Sequence, residues 1–182
     1  KAESAYGETK QLCEKIIEES SLFSVCLRYF NPIGSHNSGL IGDRSADKPA
    51  NLIPIICEVA SGKRKKLIIN GNDYNTKDGT CVRDYIHVED LAIAHINALK
   101  YCVRNKSKSI FNVGTGQGIS VAETIRIFEE SNKIKLSVEV GPRRAGDVAE
   151  IYSDIKKSSK YLKWKAEKSI SDALKSAWNW ET

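Results

Sequence analysis

The chain has 182 residues, is 41% hydrophobic and 28% charged, and contains 12 Gly and 4 Pro; it can bury a core, which excludes a disordered tail, a collagen-like repeat or a small disulfide-stapled scaffold. Its 28 Lys+Arg against 23 Asp+Glu give a net charge of +5, too mild and too scattered for a nucleic-acid reader, whose charge gathers on one face. No stretch approaches ~20 consecutive apolar residues, so none is expected to span a membrane, and the opening KAESAYGETK is too polar for a signal peptide.

Residues 4–20 have helical periodicity, with Ser4 as a candidate cap and Leu12, Cys13, Ile16 and Ile17 as an apolar stripe. SVCLRY at 24–29 reads as a strand ended by Asn31-Pro32-Ile33-Gly34. A long polar loop, 35–49, follows, and loops of that length in compact domains are often functional. A helix is predicted over 52–60, then a short strand over 66–69. The run Lys63-Arg64-Lys65-Lys66 between them reads as a solvated turn. Residues 71–80 form a turn-rich excursion, and 82–88 (VRDYIHV) alternate as one strand. Glu89-Asp90 opens a helix to about residue 101. A strand over 109–113, a glycine-rich loop over 114–118 and a helix capped by Ser120, with Glu123 completing a capping box, come next. Strands at 136–140 and 151–152 and helices at 155–162 and 170–180 complete an α/β pattern without internal repeats.

Several residues could carry chemistry. Gly114-Thr115-Gly116-Gln117-Gly118 lies between a strand and a helix, but Ile119 stands where G-x-G-x-x-G needs its last glycine, so a tight turn is expected rather than a pyrophosphate cradle. Tyr6 and Lys10 are four apart on one helix face. A phenol has a reference pKa of about 10, and a cation one turn away favours its ionised form; taken alone, though, such pairs are mostly surface neighbours. Asn31 ends a strand, where ligands of open parallel sheets bind, or simply forms an Asn-Pro turn. Arg83, Arg143 and Arg144 suit phosphate, although Arg144 and Asp147 could pair with each other. His87 is expected to be a hydrogen-bonded structural histidine, and His36, His87 and His95 share no ligand spacing. The five cysteines have no C-x-x-C spacing, which suggests reduced thiols, a cytoplasmic protein and no metal.

Taken in order, the motifs resemble the C-terminal half of the UDP-galactose 4-epimerases, which are extended short-chain dehydrogenases/reductases. The resemblance rests on Tyr6-x-x-x-Lys10, LRYFNPIG at 27–34, NLIP at 51–54, GNDYNTKDGTCVRDYIHVEDLA at 71–92, FNVGTG at 111–116 and GPRRAGD at 141–147. It implies an α/β fold: the end of a Rossmann-type parallel sheet over 1–34, then a smaller α/β substrate domain over 35–182. It also implies interconversion of UDP-glucose and UDP-galactose by C4 oxidation, rotation of the keto sugar and re-reduction, with NAD as cofactor and a homodimeric parent. Tyr6 would take the proton of the sugar 4-hydroxyl and Lys10 would assist it and bind the nicotinamide ribose, with Tyr29, Phe30 and Pro32 beside the cofactor. Asn31, Asn51, Leu52, Ile68, Ile69, Asn70, Arg83, Tyr85, Arg144, Asp147 and Ile151 would hold the UDP-sugar. Asn70 stands where the family usually has an aromatic near uracil. Ile151 occupies a position that gates the sugar pocket and is commonly tyrosine or a small residue.

In that family the NAD fingerprint precedes the Tyr-Lys pair, and the chain contains no Met. It is therefore expected to be a piece of a two-domain enzyme, inactive alone. A nucleotide-sugar decarboxylase or dehydratase, or a non-catalytic nucleotide-sugar-binding fragment, are the other readings, and the 71–92 run weighs against the first two of these.

Overall fold

A computed structural model describes residues 5–43 and 49–182. Ser4, the expected cap of the first helix, lies outside them. The order is α1 (Ala5–Glu19), β1 (Val25–Tyr29), β2 (Asn31–Ile33), α2 (Leu52–Ala60), β3 (Leu67–Asn70), β4 (Val82–Arg83), β5 (Tyr85–His87), α3 (Val88–Asn105), β6 (Ser109–Val113), β7 (Ile119–Ser120), α4 (Val121–Asn132), β8 (Val138–Gly141), β9 (Glu150–Ile151), α5 (Lys156–Leu162) and α6 (Ile170–Glu181). β1 pairs with β6, β2 with β5 and β3 with β8, all in parallel. β4 lies between antiparallel β7 and parallel β9. The predicted α/β class with parallel pairing is therefore present.

The single strand expected over 82–88 is instead two, because the backbone changes sheets at Asp84. Arg83 pairs with β7 and β9, whereas Tyr85 pairs with Asn31 of β2. The chain makes the same change at Phe30, whose N–H donates to Val113 while that of Asn31 donates to Asp84. The boundary expected at residue 34 is also crossed, since β6 returns from 109–113 to pair with β1.

Two cores result. One gathers Ile86, Leu91, Ala94, Ala98, Phe111, Val113, Leu162 and Trp164, beneath β1. The other packs Ile33, Ile56, Leu67, Tyr85, Phe128 and Leu174 between α2, α4 and α6. Phe111 and Phe128 are almost wholly buried, each worth about 1.5–3 kcal/mol of transfer free energy, and each meets a second aromatic edge-on.

Helix ends follow local chemistry. Ser120 accepts from the Glu123 N–H, but the Glu123 carboxylate lies near Arg126, so only half of the expected capping box forms. Ser169 and Asp172 make a complete box at α6. His87 caps α3: its Nδ1 accepts from the Glu89 N–H at 3.0 Å and its Nε2 faces Ser176 Oγ at 3.2 Å. An Nδ1 that accepts from a backbone N–H carries no proton, so the ring is neutral with its hydrogen on Nε2. In the 63–66 turn, Lys63 pairs with Glu181, Arg64 with Glu58 and Lys66 with Glu139, which accounts for most of that basic run.

Asp84 is fully buried. Its Oδ1 accepts from Thr115 N–H at 2.9 Å and Thr115 Oγ1 at 2.6 Å. Its Oδ2 accepts from the N–H groups of Gly116 and Ser153, both at 3.1 Å, and from Ser153 Oγ at 2.5 Å. Gly114 permits this approach, because a Cβ there would come within 2.4 Å of Asp84 Oδ2 and of Ser153 Oγ.

Two predictions follow from these contacts. Asp84→Asn turns one acceptor into a donor facing N–H and O–H groups, and stranded buried donors cost about 1–3 kcal/mol each. Denaturant unfolding of this variant should show a loss of at least ~2 kcal/mol, and a change within ~0.5 kcal/mol would refute the hub role. Burial also holds the His87 pKa below its ordinary value. The unfolded chain then binds the proton more readily, so His87 contributes stability that is complete above the unfolded pKa of about 6.5 and is lost as pH falls below it. Glu89, held low mainly by Lys168, and Asp172, held low by Ser169, extend the loss below a pH of about 4.5. His87→Asn keeps a capping acceptor and should flatten the upper part of the stability-against-pH curve.

Candidate functional site

β2, α2, β3 and the end of β4 converge on a cavity of about 700 Å³. Its position follows from the topology: Asn31, Asn70 and Arg83 come at or next to the ends of strands, where parallel sheets leave an open crevice. Eleven of the expected site residues line it. Asn31 and Pro32 come from β2, Asn51 and Leu52 from the start of α2, and Ile68, Ile69 and Asn70 from β3. Arg83, Tyr85, Arg144 and Asp147 complete the set.

The cationic part of the wall is a bridged cluster. Arg83 Nη1 donates to the carbonyls of Val82 at 2.9 Å and Val148 at 2.7 Å. Its Nη2 lies 3.5 Å from Asp147 Oδ1, which Arg144 Nη2 reaches at 2.8 Å. Asp147 thus does pair with Arg144, and it also holds Arg83. The hydrogen bond to Asp147 raises the Arg144 pKa further above its ordinary value. Two guanidiniums sharing one carboxylate leave the cluster one net positive charge.

The start of α2 opens onto the same cavity. Asn51 occupies the N-cap position in extended backbone, yet its side chain makes no capping bond, leaving the amide available to a ligand. Pro54 in the first turn costs nothing, because the N–H it lacks would have had no helical partner. The free N–H groups of a helix N-terminus favour anions. Tyr85 stays a neutral phenol at the wall, since burial pushes its pKa up to about 12.

Other expected residues lie outside this cavity. Tyr6 is 72% exposed on α1, with Lys10 Nζ 5.0 Å from its ring centroid. The pair therefore shares a face, and α1 buries none of its side chains. Bonds between Arg28 and Glu14, and from Lys108 to the carbonyls of Glu18 and Ser20, attach that helix. Tyr29 is exposed, Phe30 is half-buried, and Ile151 pairs with Arg83 in the strand ladder without reaching the cavity wall. The glycine-rich loop 114–118 turns inward: the N–H groups of Thr115 and Gly116 go to Asp84 and that of Gln117 to Thr115 Oγ1, as in a tight turn.

Residues to which the sequence assigns no site role also shape the cavity. The polar loop contributes Ser35, His36, Ile41, Gly42 and Asp43, and α6 contributes Trp180. Gly42 rests on the Trp180 ring, where a Cβ would come within 2.4 Å, and Trp180 Nε1 donates to the Asp43 carbonyl. A lone glycine facing a tryptophan 138 positions away leaves no local sequence signal. Among the described residues no cluster of His, Cys, Asp and Glu could hold a metal, and no helix is long and apolar enough to cross a membrane.

A model of the family described as GDP-mannose 4,6 dehydratase matches residues 1–177. The chain is 48% identical to the bifunctional protein GAL10 of Pachysolen tannophilus, over 97% of this chain and 27% of that protein. It is 43% identical to the UDP-glucose 4-epimerase of Haemophilus influenzae, over 97% of this chain and 54% of that one. The crystal structure of UDP-glucose 4-epimerase from Stenotrophomonas maltophila, with bound NAD and formylated UDP-arabinopyranose, superposes with a TM-score of 0.96 at 39% identity, covering 100% of this chain and 55% of that one. The chain thus spans from a quarter to about half the length of these relatives. Matched along almost its whole length, it belongs to the GDP-mannose 4,6-dehydratase family of extended short-chain dehydrogenases/reductases.

Proposed function

We propose that the chain supplies the nucleotide-sugar site and the catalytic Tyr-Lys pair of a UDP-glucose 4-epimerase. The observation that carries this reading is the cavity onto which the Arg83–Asp147–Arg144 cluster and the uncapped start of α2 both open. That combination suits a diphosphate, with guanidiniums to grip its oxygens and a helix N-terminus to complement its charge. Asp147 suits ribose hydroxyls, and Asn31, Asn51 and Asn70 offer amides to the sugar and base. Kinship with UDP-glucose 4-epimerases, one of them solved with a UDP-sugar, supports the substrate class.

Of NAD, these residues fit one end. The exposed Tyr6 phenol and the Lys10 ammonium beside it would hold the nicotinamide ribose, and Tyr29, Phe30 and Pro32 would border the ring. The Gly114–Gly118 loop does not suit the cofactor diphosphate, since the buried Asp84 already takes the donors of Thr115 and Gly116. When bound, NAD supplies the hydride acceptor that the sugar C4 requires. Tyr6 moves the proton of the 4-hydroxyl, and Lys10 donates hydrogen bonds beside it. The 182 residues alone are proposed to bind the UDP-sugar without turning it over, and the parent is proposed to be a cytoplasmic homodimer.

Two experiments test this reading. Calorimetric titration of UDP should show binding to the chain, weakened roughly tenfold or more by Arg83→Gln, the cost of losing a charged hydrogen bond, and weakened further by salt. Affinity that ignores Arg83 would remove the diphosphate assignment. In the full-length parent, Tyr6→Phe should lower epimerisation of UDP-galactose by about 10²–10⁴-fold with UDP affinity within about twofold of the wild type. Formation of UDP-glucose also separates an epimerase from a decarboxylase or dehydratase, which would yield other products.

A further inference from the structure

Arg143 adjoins Arg144 in sequence but does not reach the cavity wall. Its side chain turns back toward the 71–80 excursion. Nε donates to Asp73 Oδ1 at 2.7 Å and Nη2 to the Asp73 carbonyl at 2.6 Å. The guanidinium lies 4.3 Å from the centroid of the Tyr74 ring, and Tyr74 is buried. Gly71 makes room for this stack. It has φ +84°, and a Cβ there would meet Arg143 Cγ at 2.7 Å and Tyr74 Cε2 at 3.0 Å.

The contact ties the exits of two paired strands. β3 and β8 run in register to Asn70 and Gly141, and the Gly71 N–H adds one rung to the Gly141 carbonyl at 3.0 Å. Beyond that rung the β8 side enters 142–147, a largely exposed segment containing Gly146, whose missing Cβ would touch nothing within 4 Å. A turn bond from Asp147 N–H to the Arg144 carbonyl, at 3.2 Å, spans its end. Yet this segment carries both Arg144 and Asp147, which must face the cavity together. Arg143 is the side chain that anchors its start to a buried ring.

We propose that Arg143, with Asp73 and Tyr74, is a positioning clamp. Arg143 does not touch the nucleotide; it fixes the segment from which Arg144 and Asp147 do. The clamp rests on the cavity being the UDP-sugar site. Direct phosphate contact by Arg143 would require giving up two charged hydrogen bonds and the stack. Exposed ion pairs contribute little to global stability, so the main effect of Arg143 is expected on affinity rather than on unfolding.

The test is a mutant cycle read by calorimetric titration of UDP, alongside thermal unfolding of each variant. Arg143→Ala should weaken UDP binding about 3–10-fold with a nearly unchanged unfolding midpoint. Asp73→Asn, which keeps the residue's shape but weakens the fork, should weaken binding by a smaller factor. Because Arg143 acts through Arg144 and Asp147, adding Arg143→Ala to an Arg144→Ala/Asp147→Asn background should leave binding within about twofold of that background, the non-additivity expected of coupled residues. A further loss there by the full Arg143→Ala factor would mean that Arg143 grips phosphate itself, and would overturn the clamp. Wild-type binding with no loss in Arg143→Ala overturns the clamp alone, whereas no wild-type binding overturns the site reading and the clamp together.

Discussion

A carboxylate buried without a cation organises this structure. Among the described residues Asp84 has no guanidinium or ammonium as a hydrogen-bond partner; five N–H and O–H donors from Thr115, Gly116 and Ser153 surround it. A buried carboxylate so heavily bonded is tolerable, but any vacancy in the shell would be expensive. Those donors come from two segments distant in sequence, the 114–116 turn and the strand exit at 153. The carboxylate therefore fixes both against the point where the chain changes sheets. Arg83 and Tyr85 diverge from that point, the first toward the cationic cluster and the second toward the hydrophobic wall. Were Asp84 displaced, neither flanking side chain would keep its direction into the cavity.

The same hub links the two cores. Tyr85 belongs to the core between α2, α4 and α6, and Ile86, the next residue, to the one beneath β1. A strand of three residues, all buried, thus has opposite faces in different cores. This places β2, its parallel neighbour, at the seam. Asn31 and Pro32 reach the cavity there, while Tyr29, just before the crossing at Phe30, stays with β1 outside it. The α1 helix carrying Tyr6 and Lys10 lies on the β1 side, held through Arg28. The proposed proton-transfer pair and the proposed diphosphate site are therefore presented from different sides of one sheet crossing.

What could be read from the sequence divides along physical lines. Helices α2, α4 and α6 and strands β1 and β6 were legible because apolar periodicity and local caps are short-range signals. VRDYIHV misled because its alternation is that of one strand, while the break depends on donors at Thr115, Gly116 and Ser153. A charged residue inside an apolar alternation, with a glycine-rich turn some thirty positions later, was the available sign. Side-chain chemistry alone marks all three arginines as candidates for phosphate, and only the resemblance sets Arg83 and Arg144 apart from Arg143. The fold supplies the physical difference, turning Arg143 toward Tyr74 and Arg144 toward the cavity. The Gly42–Trp180 contact could not have been read at all, since it pairs residues 138 positions apart with no local signal at either.

Carboxylates at three positions show how placement decides role. Asp84, surrounded by neutral donors, is structural. Asp73, exposed and forked by one arginine, ties a turn to a strand exit. Asp147 stands between two guanidiniums and leaves their cluster with an unspent positive charge on the wall of a cavity. Two of the acidic residues that reach the same cavity are each compensated, Glu89 by Lys168 and Glu181 by Lys63, and neither lysine is on the wall. The positive charge of the Arg83–Asp147–Arg144 cluster is thus not cancelled by those neighbours. An anion entering beside it would exchange water for two preorganised guanidiniums whose geometry Asp147 has already set. That preorganisation, rather than the count of basic residues, is what would suit this part of the surface to the proposed diphosphate.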